Sequence, residues 1–249
     1  MRYLFCLLIS FSILFSDENI VVFGNNYKPP KIWTQDTIDQ GILVEVMYEV
    51  QKELGIKFEV QTHPWARAFK LASFNQGGIV GISYTKQRAK KFDFNSVPLF
   101  LDTIILVVKK GKEFSFENIT DLKDKKVGYC RGCSFGKVFE EAKKYFIPIE
   151  TDDSREQRLK MLLNDKIDVA LIGPGNIGFF TVCDETNQFE DGDFTVLKKP
   201  LVVDPNYIAF EKSMKKKELL EKFDKILQKK IDDGTVDKII TEVLKRETK

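Results

Sequence analysis

Short apolar runs alternate with segments of helical period along nearly the whole chain, and the alternation starts twice. "NIVVFG", "KFEVQ" and "GGIVGIS" carry the branched and aromatic residues of strands. Between the first two, Leu43, Val46, Met47, Val50 and Leu54 recur at helical spacing, bounded by Gly41 and Gly55. Pro64 can open a second helix, "WARAFKLASF". After Lys112 the pattern begins again. "KKVGYC" reads as a strand, "SFGKVFEEAKKYF" as a helix, "REQRLKMLLN" as a helix that Ser154 can cap, and "IDVALI" as a strand. The tail reads as two amphipathic helices broken at Asp233-Gly234-Thr235.

Such alternation predicts α/β architecture, with parallel sheets flanked by helices. The long extended segments "FLDTIILVVKK" and "FTVLKKPLVV" with "NYIAF" separate the two runs. The expected organisation is two α/β lobes joined by two crossing strands, near residues 105–110 and 196–204. Residues 17–108 and 200–249 form the first lobe and 109–199 the second. Open α/β sheets place ligands at the carboxyl ends of their strands, so a cleft between the lobes is the expected site.

The first residues read as an export signal. Arg2 precedes "YLFCLLISFSILF", 13 residues too short to span a bilayer comfortably, and Ser16 offers a small residue for cleavage. Residues 1–16 are therefore expected to be removed, leaving a periplasmic protein. With Arg2 gone the chain is nearly neutral, and its mixed charges form no basic face for nucleic acid. Cys130, Cys133 and Cys183 remain. "CRGC" admits a redox pair, a tight disulfide or two buried thiols, with a structural or inert role favoured over catalysis, because the preceding strand ends on Cys130. His63 is the only histidine, which argues against a metal site and against a serine–histidine nucleophile. No metal and no cofactor are expected.

The stretch "ISYTKQRAKKFDFN" places a cation, Arg88, five residues after Ser83, where an apolar run ends. Taken in order, "NYKPP", "GILVEVMYEVQKELGIKFEVQTHPW", "GISYTKQRAKKFDFN", "LFLDTIILVVKK", "ITDLKDKKVGYCRGCSFG", "KIDVALI" and "IDDGTVDKIITEVL" resemble the bacterial extracellular solute-binding proteins of the polar amino-acid uptake type. The resemblance runs over nearly the whole mature chain. It implies a periplasmic-binding-protein-like fold of type II. It also implies a receptor, not an enzyme, that acts as a monomer, closes on a small carboxylate-bearing solute and delivers it to an ABC permease in the inner membrane.

In that family the serine and the arginine hold the ligand's α-carboxylate, and Ser83 and Arg88 stand at the matching spacing. A guanidinium, always charged and carrying paired donors, suits a carboxylate; the bland alternative is a solvated basic turn beside Lys86, Lys90 and Lys91. "CRGCSFG" matches the family's glycine-hydroxyl loop, so Ser134 either meets the same ligand or caps the following helix. Arg131 is a second anion contact or the partner of an acidic neighbour. Trp65 and Tyr27 fall where the family places its pocket walls, against core packing as the alternative. Arg67 lies two residues beyond Trp65, toward the opposite helix face.

One departure stands out. In well-known amino-acid receptors of this type an acidic residue after the second-lobe strand takes the ligand's α-ammonium. Here that place falls on Gly173, before Pro174. Either the ligand lacks an α-amino group, or Asp184, Glu185 or Asp204 reaches in from elsewhere. Two other classes remain on the same scaffold: a cyclohexadienyl-dehydratase-like enzyme, with Glu45, Glu140 or Asp184 as its acid, and a free-standing sensor.

Overall fold

The structure is a computed structural model. It describes residues 19–247 apart from 153, 187, 188 and 190, with the side chains of 185, 186, 191 and 247 also left aside. The expected export signal, residues 1–16, lies outside the described residues. Among the described residues no helix is long and apolar enough to cross a membrane.

The chain begins with β1 (Asn19–Asn25). A small antiparallel sheet follows, made of β2 (Tyr27–Lys28), β3 (Ile32–Gln35) and β4 (Ile38–Gln40). "NNYKPPKIW" is rich in turn-forming residues, yet it carries β2 and the start of β3. These strands are too short for a period to register in the sequence, and Tyr27 pairs with Trp33 across them. Next come α1 (Ile42–Leu54), β5 (Lys57–His63), α2 (Trp65–Ser73), β6 (Gly78–Ser83), the single turn α3 (Lys86–Ala89), β7 (Phe92–Phe94) and β8 (Phe100–Lys109). The second run holds β9 (Lys126–Cys130), α4 (Gly136–Ala142), β10 (Ile147–Thr151), α5 (Arg155–Leu163), β11 (Val169–Ile172), α6 (Gly175–Thr186) and β12 (Phe194–Val196). The chain returns through β13 (Val202–Glu211) to α7 (Lys217–Asp232) and α8 (Thr235–Glu247).

The local signals behave as their chemistry dictates. Gly55 ends α1 in the left-handed region at φ 70°, a conformation without penalty for a residue lacking Cβ. The Ser154 side chain accepts from the Gln157 amide and starts α5.

One path of hydrogen-bonded strands runs β10-β9-β11-β8-β13-β6-β1-β5. The pairs β1–β5, β1–β6, β9–β10 and β9–β11 are parallel, as expected for strands joined through helices. The sheet is nevertheless mixed. β13 is antiparallel to β6 and β8, and β8 is antiparallel to β11 and β12. These long strands carry the chain out of one half and back, with no crossover helix to restore direction. Along β8 the partner changes at one step: Phe100–Ile104 pair with β13, and Ile105–Val107 pair with β11.

Three apolar cores follow this layout. α1 packs with α7 and α8 over β1, β5 and β6, burying Val46, Met47, Phe58, Phe223 and Leu227. α5 and α6 pack on β8 and β11 through Leu159, Leu162, Phe179 and Ile172. A third core joins Trp65, Ala68 and Ile82 to Tyr129, Phe135 and Phe139. Its members come from both runs, so it brings the ends of β6 and β9 together.

Candidate functional site

Ser83 ends β6, buried, where the strand gives way to α3. The Thr85 hydroxyl accepts from the Arg88 amide at 3.1 Å and caps that turn, which sets the direction of the Arg88 side chain. Arg88 Nη1 donates to the Ser83 carbonyl at 3.0 Å, and Nη2 donates to the Gly132 carbonyl at 3.2 Å. The guanidinium lies over Trp65 and Phe69, 5.7 and 5.3 Å from the ring centroids. Burial lowers its pKa to about 10, against the pull of Asp204 and Glu140, so it stays cationic at neutral pH. The solvated-turn reading of Arg88 is thereby excluded: the residue is 8% exposed, whereas Lys86 and Lys91 beside it are exposed.

The loop after β9 meets this cation. Cys130 and Cys133 form a disulfide, so of the three states that "CRGC" allowed the structure has the bonded one. Trp65 Nε1 donates to the Gly132 carbonyl at 3.0 Å, so that one carbonyl accepts from both Trp65 and Arg88. Ser134 is buried and its carbonyl accepts from the Ser83 hydroxyl at 2.6 Å. The Ser134 hydroxyl donates to Glu140 at 2.5 Å and does not cap α4.

Three side chains not singled out from sequence complete the cluster. Lys31, Asp102 and Asn206 are 5%, 3% and 1% exposed. Asp102 and Asp204 are register partners across β8 and β13, and Asn206 lies opposite Ser83. Because Asp204 and Asn206 are two apart on a strand, they share a face. Lys31 Nζ pairs with Asp102 Oδ2 and donates to Asn206 Oδ1 at 2.9 Å. Asn206 Nδ2 reaches Asp204 Oδ2 at 3.2 Å, and the Ser83 hydroxyl lies 2.5 Å from the same oxygen. Burial raises the Asp204 pKa to about 7; the Ser83 hydrogen bond opposes it, the Asp102 charge adds to it, and Lys31 and Arg88 pull it back. Among the described residues Asp102 Oδ1 accepts no hydrogen bond.

These groups line a narrow cavity of about 20 Å³, with Trp65, Ser134 and Lys28 also on its wall. That is room for about one water molecule and far below ligand pockets of roughly 300–1,000 Å³, so the groups stand packed against one another here. A wider cleft adjoins it through Cys133 and Ser134 and carries Arg88, Phe69, Tyr84 and Glu140. Lys28 Nζ sits 3.6 and 3.8 Å from the two disulfide sulfurs. No group of three or more His, Cys, Asp or Glu among the described residues is placed to hold a metal ion.

Of the residues picked out by sequence, Trp65, Ser83, Arg88 and Ser134 are thus brought together. Tyr27 is 37% exposed on β2 and Arg131 is exposed, its amide bound to the Thr151 carbonyl; neither lines these two cavities. Arg67 and Asp184 are exposed, and the Glu185 side chain lies outside those described. Only Asp204, of the three acids considered, enters the cluster. Gly173 offers no carboxylate, and its place is taken: a Cβ there would stand 2.6 Å from Asp102 Oδ1.

Comparison with known proteins bears on the family and the fold. The family model for bacterial extracellular solute-binding proteins, family 3, matches residues 20–245. The L-cystine-binding protein TcyJ of Escherichia coli (strain K12) is 25% identical over 155 residues, 61% of this chain and only 58% of that protein's length. The arginine-binding extracellular protein ArtP of Bacillus subtilis (strain 168) is 27% identical over 234 residues, 90% of this chain and 86% of that one. A solved structure of an ancestral arginine-binding protein bound to arginine superposes with a TM-score of 0.71 at 24% identity, covering 90% of this chain and 97% of that one. At that identity the likeness speaks for the fold.

Proposed function

Since the chain belongs to the bacterial extracellular solute-binding proteins, family 3, we propose that it is a periplasmic receptor that closes on a small carboxylate-bearing solute and hands it to an ABC permease in the inner membrane. One observation carries the reading: Arg88, Trp65 and Ser83, at the ends of one run of elements, all contact the Gly132–Ser134 loop of the other. A solute entering there meets both.

The chemistry favours an anion at Arg88. Its two assigned partners are neutral carbonyls, and a carboxylate would replace the Gly132 carbonyl with a charge-assisted, bidentate pair. Residues 17–108 with 200–249, and 109–199, are the two lobes of this reading. They open and close where β8 changes partner at Ile104/Ile105 and along the return at 197–201. The solute shifts the balance because only the closed form presents groups from both sides. The mature protein is a monomer released by cleavage after Ser16. Relatives named for arginine and cystine support an amino acid as cargo. The family is one of solute-binding proteins, which weighs against the dehydratase alternative.

A thermal-shift screen of amino acids, small carboxylates and amines tests this. A ligand at 100 times its Kd stabilises the folded state by about 2.7 kcal/mol. If no amino acid or carboxylate raises Tm at millimolar concentration, the receptor reading fails.

A further inference from the structure

We propose that the Cys130–Cys133 disulfide is a thiol-responsive clasp: while it is bonded, the two runs of elements grip each other through the Gly132 carbonyl, and a small thiol that opens it loosens that grip. This goes beyond the receptor reading, which asks for no change at sulfur.

The bridge joins residues three apart in sequence. Chain-entropy stabilisation grows with the size of the loop closed, so so short a bridge adds little to the fold as a whole. What it restrains is the turn inside it. The Cys133 amide donates to the Cys130 carbonyl at 3.0 Å, and Gly132 between them takes a left-handed φ of 69°. The carbonyl of that glycine accepts from Trp65 Nε1 at 3.0 Å and from Arg88 Nη2 at 3.2 Å, both belonging to the first run of elements. One residue past the bridge, the Ser134 carbonyl accepts from the Ser83 hydroxyl at 2.6 Å. These hydrogen bonds between the runs all fall on the short loop that the disulfide fixes.

The bridge is placed for exchange as well as for restraint. Cys133 lines the wider cleft, a space of about 660 Å³, whereas Cys130 lies behind it. Lys28, from the first run, brings Nζ to 3.6 Å from Cys130 Sγ and 3.8 Å from Cys133 Sγ. A small thiol such as glutathione can therefore reach Cys133 from the cleft. Its thiolate attacks Cys133 Sγ and forms a mixed disulfide there, and the pair of electrons from the broken S–S bond leaves on Cys130 as a thiolate beside the Lys28 ammonium. A neighbouring ammonium favours thiolate over thiol, and a thiol of lower pKa leaves faster. A second small thiol then attacks the mixed disulfide at the bound reagent's sulfur, which frees Cys133 and releases the oxidised reagent. Two small thiols are oxidised and one protein disulfide is reduced; of the two protons shed, one ends on Cys133 and one in solvent, with Cys130 left ionised. Cys183, buried on α6, lies in a different apolar core and takes no part.

The test uses the protein without residues 1–16, equilibrated in glutathione buffers of graded ratio, alkylated under denaturing conditions and analysed by mass spectrometry. The oxidised chain then carries one alkyl group, on Cys183, and the reduced chain two more, on Cys130 and Cys133. We expect a reversible transition between the two, with its midpoint moved about tenfold toward the disulfide in Lys28→Met. Hydrogen exchange on each form reads the grip. After reduction, peptides covering residues 130–136 and α2 should exchange at least about tenfold faster, while β1 and β5 keep their protection. Whichever of the twenty protein amino acids bind the oxidised form, by thermal shift and calorimetry, should bind the reduced form at least about tenfold more weakly, because the loop is no longer preorganised. A bridge still closed in excess reduced glutathione, a midpoint unmoved in Lys28→Met, exchange unchanged by reduction, or equal affinity in the two forms overturns the proposal and leaves the receptor reading standing. Protection lost at β1 and β5 on reduction marks a structural staple and overturns it too. Should Lys28→Met not fold, the two forms of the wild-type protein decide. If no amino acid binds either form, the receptor reading falls, and hydrogen exchange alone decides the clasp.

Discussion

Asp102 and Asp204 stand opposite one another across β8 and β13, both buried, with Lys31 paired to only the first of them. A folding chain gains nothing from that placement. Two carboxylates in a low-dielectric interior repel, and each loses hydration. The expense is legible in Asp204, whose pKa rises to about 7 chiefly through burial.

The sign of the consequence for stability follows by linkage. A carboxyl whose folded pKa lies above its unfolded value, near 3.9, favours folding in its protonated form. That contribution is intact below about pH 4 and is lost as pH climbs through about 7. At pH 8 the ionised group therefore works against the fold. Asp204→Asn is expected to be more stable than the parent by about 1–3 kcal/mol at pH 8, discounted from the roughly 4 kcal/mol that a rise to about 7 implies. The gain should fade toward pH 4. Urea unfolding at pH 4, 6 and 8 measures it, and a gain independent of pH would refute the assignment.

Arg88→Ala should abolish binding, by about 100-fold or more, while secondary structure persists. Arg88→Lys should recover only part, since a point charge lacks the planar fork. Calorimetry against the solute found by screening decides this, and unchanged affinity in Arg88→Ala would remove Arg88 from the site.

Gly173→Ala should destabilise by about 1–3 kcal/mol, through overpacking against Asp102 Oδ1 at 2.6 Å and Ile104 Cδ1 at 2.7 Å. In an Asp102→Ala background the first clash is gone, so the two substitutions should couple by at least about 0.5 kcal/mol. Additive losses in denaturant unfolding would show that the two positions do not press on one another.

Much of this architecture could be read from residue patterns. Gly41 to Gly55, Pro64 and Ser154 mark helix ends by local chemistry, and the structure has α1, α2 and α5 there. Short or weakly patterned elements escaped: β10 carries Pro148 and two exposed residues at its start, and α6 is apolar on several sides rather than one. The site divides the same way. Ser83, Arg88, Trp65 and Ser134 sit in contiguous motifs. Asp102 and Asp204 become partners only through register between strands a hundred residues apart. A signal was nonetheless present: a lone aspartate in "FLDTIILVV" and another in "LVVDPNYIAF" interrupt runs that otherwise belong in a core. Lys31, arriving from the loop after β2, had none.

The helical tail carries a consequence for synthesis. The apolar layer over β1 and α1 closes only with Phe223, Leu227, Val236 and Val243, whereas the layer around Leu159 and Phe179 draws all its members from residues 105–196. A nascent chain can therefore finish the later-numbered layer while the earlier one still waits for its lid. A chain cut after residue 200 is expected to shield amides of β9 and β11 from hydrogen exchange and to leave those of β1 open. Assembly thus runs against the order of translation, and the first strand made is among the last to be sealed.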